Sequence, residues 1–85
     1  MILNNNKVLE DKISLINKIN RIVAGLDLYP IELSGSKDVA KISFEFYDDY
    51  ELLYNKLMAC KRSMAGYSIE GTFDEKIYTM YLEAI

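Results

Sequence analysis

The stretch Val39-Ala40-Lys41-Ile42-Ser43-Phe44-Glu45-Phe46-Tyr47 decides the fold class. Ala40, Ile42, Phe44 and Phe46 fall on one side of it, and Val39, Lys41, Ser43, Glu45 and Tyr47 on the other. A period of two is strand geometry, because successive side chains point to opposite faces of a pleated chain. One side is almost wholly apolar, so the stretch predicts a half-buried strand, as in an antiparallel sheet with one solvated face.

Leu28 to Leu33, just upstream, reads as a second strand. Pro30 has no N–H to give to a ladder, so this strand belongs at an edge or starts late. Ser34-Gly35-Ser36-Lys37 between the two reads as a turn. It is not a phosphate-binding loop: the first glycine of that motif is missing, and Lys37 precedes a strand where the motif needs a helix. Further upstream, Val8, Leu9, Ile13, Leu15, Ile16, Ile19, Ile22, Val23 and Leu26 fill about half of a helical wheel, which predicts a helix packed on a core over about residues 5–24. Asn4, Asn5 and Asn6 offer caps for its start, and Gly25 a stop.

Downstream, Asp48 and Glu51 have the spacing of a capping box, with Asp48 as N-cap. They open a helix expected over about residues 49–65, with Gly66 as its stop. Its apolar arc holds Tyr50, Leu53, Tyr54, Leu57, Cys60 and Met64. Tyr67–Phe73 and Lys76–Ala84 then read as a hairpin around Asp74-Glu75, with Tyr78, Met80 and Leu82 facing inward. The order αββαββ predicts a single α+β domain over residues 1–85, a four-stranded antiparallel sheet with two helices packed on it.

With 85 residues the chain supports one modest core. A hydrophobic share of 51% sets it apart from disordered chains. A single cysteine, Cys60, excludes an internal disulfide framework, and no stretch is apolar for long enough to span a membrane. The start, Met1-Ile2-Leu3-Asn4, lacks the basic and apolar regions of a signal peptide, so the expected compartment is the cytoplasm. Ile 10, Lys 8, Tyr 7 and Asn 6 outweigh Ala 5, Gly 4, Arg 2 and Pro 1, which points through the genetic code to an AT-rich genome such as that of a phage or a low-GC bacterium.

There is no histidine, so the usual acid–base group and metal ligand are absent, and Cys60 has no base to activate it. The dense acids Asp48, Asp49 and Glu51 are explained by capping, since acids favour a helix N-terminus. The expectation is therefore a protein that is not an enzyme and needs neither cofactor nor metal. It is expected to bind and neutralise a host or defence protein, as a phage-type inhibitor or antitoxin-like factor would.

The net charge of −3 is uneven: residues 1–26 carry four bases against two acids, and residues 27–60 three bases against seven acids. A basic stripe of Lys7, Lys18 and Arg21 on the first helix is the first expected partner surface. The second is the outer sheet face with Lys41, Tyr47 and Tyr81, tyrosine being enriched at interfaces. A homodimer is also expected, since self-association stabilises a small core. The alternative function is RNA or DNA binding through the basic stripe, against which the pI near 4.8 weighs.

Overall fold

The computed structural model describes residues 14–60 and 64–85. In chain order they form α1 (Leu15–Gly25), β1 (Glu32–Gly35), β2 (Val39–Phe44), α2 (Tyr47–Ala59), β3 (Tyr67–Asp74) and β4 (Ile77–Ala84). The strands make one antiparallel sheet in the order β1-β2-β4-β3, so the expected α+β architecture is the one that forms. β4 returns to pair with β2 and separates it from β3, and α2 bridges the gap as the crossover of a split βαβ unit.

α1 begins where Ser14, in extended conformation, accepts from the Asn17 N–H at 3.4 Å. The next two donors reach into the β1–β2 turn: Leu15 N–H donates to the Lys37 carbonyl at 3.0 Å and Ile16 N–H to that of Ser36 at 3.2 Å. These bonds satisfy first-turn groups that no helix satisfies internally. The expected caps Asn4–Asn6, Lys7 and the earlier part of the expected helix lie outside the described residues.

The end of α1 departs from expectation. Gly25 is the last helical residue, and Asp27 adopts the left-handed conformation (φ 59°). Leu28 N–H donates to Val23 O and Asp27 N–H to Ala24 O, a Schellman closure. Val23 and Leu28 are both buried, which supplies the apolar contact of that motif. Capturing Leu28 in this way shortens the first strand: the stretch expected over 28–33 becomes β1 from Glu32, an edge strand that starts late after Pro30. Ser34 and Gly35 belong to β1, so the turn is confined to Ser36–Asp38, where Ser36 N–H donates to Val39 O at 2.8 Å.

β2 holds the expected alternation only as far as Phe44. Phe46 does not join the inner face; it is 61% exposed and is the N-cap position of α2. Asp48, expected as the cap, sits inside the first turn beside Asp49, and no side chain bonds the cap. α2 ends at Ala59, six residues before the expected end at about 65, but Met64 is again helical, its N–H donating to Cys60 O at 3.0 Å, and Gly66 (φ 89°) follows it as the turn into β3. The final hairpin turns on Glu75-Lys76, both with positive φ, one residue later than expected.

The core lies between the helices and one face of the sheet. Leu15 and Ile19 of α1 and Leu53 and Leu57 of α2 meet Ile42 and Phe44 of β2 and Met80 and Leu82 of β4, all essentially without solvent contact. At about 25 cal/mol per Å² of apolar surface, each such side chain contributes roughly 1.5–3 kcal/mol. On the opposite face, the central pair Ser43 and Thr79 is also buried, and their hydroxyls hydrogen-bond each other at 3.0 Å.

Candidate functional site

α2 packs inward only through Leu53 and Leu57 as fully buried residues. Its adjacent flank carries Tyr47, Tyr50 and Tyr54, spaced three and four apart and hence stacked along one side of the helix. Tyr50 stacks on both neighbours, with ring centroids 6.1 Å from Tyr47 and 6.3 Å from Tyr54. Tyr47 meets the edge of Tyr78 on β4 at 5.4 Å, and Tyr78 stacks on Phe73 of β3 at 4.5 Å. Five rings thus form a continuous surface from α2 across the end of the last hairpin. Tyr47, Tyr54 and Phe73 are exposed, and the exposed Phe46 lies next to Tyr47 in the chain. The sequence placed Tyr50 and Tyr54 on the apolar arc of the helix; Tyr50 packs half-buried against the core while Tyr54 is exposed, a distinction that periodicity alone does not make.

Acids reach this surface at one end, where Glu51 and Asp48 of α2 act on Tyr47, whereas Asp74 and Glu75 line the outer face of the sheet. The Tyr47 hydroxyl donates to Glu51 at 3.3 Å, and the negative charge of Glu51 is the main cause holding that phenol above its ordinary pKa of 10.0. Tyr50 is raised chiefly by burial, then by the neighbouring phenols of Tyr54 and Tyr47. A shallow apolar groove lined by Leu57, Met58, Met64, Tyr67 and Ile69 continues along the same side, between the end of α2 and β3.

The expected site residues do not converge. Lys7 lies outside the described residues. Arg21 is exposed on α1, but Lys18 is half-buried with its ammonium 5.8 Å from the centre of the Tyr67 ring, so it serves an internal contact. Lys41 and Tyr81 do share the outer sheet face, with the Lys41 ammonium 6.0 Å from the Tyr81 ring centre and 3.4 Å from Glu32. Tyr47 is not on that face: its expected strand has become α2, on the opposite side of the sheet. Ser43, Thr72, Thr79, Ile31 and Tyr81 line a shallow depression on the outer face, with acids and Lys41 around it.

Among the described residues, no group of three or more His, Cys, Asp or Glu could hold a metal ion. No helix among them is long and apolar enough to cross a membrane. No protein-family model matches the chain, no curated protein matches it, and no solved structure matches it.

Proposed function

We propose that this protein is a non-catalytic binding protein whose principal contact surface is the tyrosine flank of α2. The supporting observation is the unbroken stack Tyr54–Tyr50–Tyr47–Tyr78–Phe73, with its outer members exposed. Tyrosines give large contacts at low entropic cost, because each fixes only two side-chain torsions. The carboxylates of Glu51 and Asp48 beside Tyr47 favour a protein partner with a basic patch and disfavour phosphate backbones, through charge complementarity. In this reading the protein neutralises its partner by occupancy, as a phage-type inhibitor of a host or defence protein; size and AT-rich composition support that setting.

The test begins with partner capture from the native cell, followed by titration of defined variants. Tyr47→Ala with Tyr54→Ala should weaken binding at least a hundredfold, and Lys18→Glu with Arg21→Glu should weaken it little. The reverse ranking would return the contact to α1. Nucleic-acid binding would announce itself by a steep loss of affinity with salt, since phosphate contacts release counterions. Multiple turnovers of a small molecule would sink the binding reading altogether.

A further inference from the structure

The last hairpin has a free side. Ile85 N–H donates to Gly66 O at 2.8 Å, and the register carries that pairing on through Ser68 opposite Glu83, Glu70 opposite Tyr81, Thr72 opposite Thr79 and Asp74 opposite Ile77. Hydrogen-bonded pairs alternate along an antiparallel ladder. The N–H and C=O groups of Tyr67, Ile69, Gly71 and Phe73 therefore point away from β4, and among the described residues none pairs with that edge. Proteins usually blunt such edges with proline, lysine, a bulge or brevity. β3 has eight residues, no proline, no base and an unbroken register. Its inner face is also incompletely covered: Phe73 is 60% exposed and Ile69 half-buried.

We propose that β3 pairs antiparallel with β3 of a second copy, giving an eight-stranded sheet across a two-fold axis at Gly71. The edge is self-complementary in one register. With Gly71 opposite the partner's Gly71, the outward backbone groups of Ile69, Gly71 and Phe73 meet those of the partner's Phe73, Gly71 and Ile69. Phe73 then lies beside the partner's Ile69, which covers the exposed ring. Glu70 faces the partner's Thr72, Ser68 the partner's Asp74, and Tyr67, with Lys18 over its ring, comes opposite the partner's Glu75. Sliding two residues in total one way sets Glu70 against the partner's Glu70, a like-charge pair that opposes association. Sliding the other way sets Phe73 against the partner's Gly71, so the ring loses its apolar neighbour. The axis runs through the sheet, so both helix layers lie on one side and the two tyrosine flanks of α2 are displayed together. The dimer stands independently of what that flank binds.

Sedimentation equilibrium of the full chain should show a concentration-dependent monomer–dimer equilibrium. Phe73→Lys should raise the dissociation constant at least tenfold while leaving the far-ultraviolet circular dichroism unchanged. Residues facing across a non-bonded pair have Cα atoms about 4.5 Å apart, within disulfide reach. In a Cys60→Ala background, an equimolar mixture of the Glu70→Cys and Thr72→Cys chains should therefore cross-link at least tenfold faster than either alone. A 9.8 kDa species at every concentration overturns the proposal. So does a dimer that Phe73→Lys leaves intact, or cross-linking with no preference for the mixture.

Discussion

The ring of Tyr50 lies across Gly71, so close that a Cβ on Gly71 would collide with the phenol hydroxyl. A glycine in a strand interior often marks such a close approach. The obstacle is the far end of a side chain, so Gly71→Ala should displace the ring and leave the backbone in place. The expected cost is about 1 kcal/mol, typical of mild overpacking. Near-ultraviolet circular dichroism should change with it, since the displaced ring is the centre of the tyrosine stack. An unchanged tyrosine signal would show that the contact is slack.

Ser43 and Thr79 allow a cleaner energetic test. Each hydroxyl is buried and has the other at 3.0 Å. Ser43→Ala or Thr79→Val alone strands one polar group and should cost roughly 1–3 kcal/mol. The double variant should cost clearly less than the two singles together. Additive losses in urea unfolding would mean that the hydroxyls are not coupled.

The turn of the last hairpin is held by Glu75 and Lys76 at φ 49° and 69°. Left-handed conformation costs a side-chain-bearing residue on the order of 1–2 kcal/mol, and two-residue hairpins prefer Asn-Gly there. Glu75→Asn with Lys76→Gly should stabilise the fold by about 1 kcal/mol, read as a higher urea midpoint. A lower midpoint would indicate that the two charges do more than occupy a turn.

Phenol ionisation gives a pH signature. Tyr47 and Tyr50 are raised above 10.0, the first mainly by Glu51 and the second mainly by burial. A raised folded-state pKa means that the native state holds the proton more tightly than the unfolded chain does. That contribution is complete below pH 10 and is lost as the pH rises through the folded value. Absorbance titration should show part of the tyrosine population ionising late, and Tyr50→Phe should remove one late phenol.

Asp48 separates two accounts of the same residue. As an N-cap its removal would cost about 1 kcal/mol independently of salt. In the first turn, where it lies, it acts on the helix dipole and is worth roughly 0.3–1 kcal/mol at low salt, declining as salt screens it. Stability of Asp48→Ala measured at two ionic strengths distinguishes the two.

The core was legible from period alone. Ala40, Ile42, Phe44, Met80 and Leu82 are buried as the alternation required, and so are Ile19, Val23, Leu53 and Leu57 as helical spacing required. The boundaries were not. Phe46 continues the alternation of β2 in sequence, yet the chain has already turned into α2, where Tyr47 pairs with Glu51 one turn on. That one slip moved Tyr47 from the outer sheet face to the helical side and hid the five-ring surface. The stack also needs Phe73 and Tyr78, whose nearness depends on where the hairpin turns. No local pattern reports that junction.

The placement of β4 between β2 and β3 has a temporal consequence. The residues that pair at the centre of the sheet are far apart along the chain, from Phe44 with Tyr78 to Val39 with Glu83. Closing so long a loop must precede the contacts that reward it, which slows folding relative to a hairpin meander of equal size. On the ribosome, β2 emerges before its central partner exists, with Ile42 and Phe44 open to any passing strand. Until the last strand is made, the nascent protein is most exposed to aggregation and most dependent on chaperones at the very residues that later form its centre.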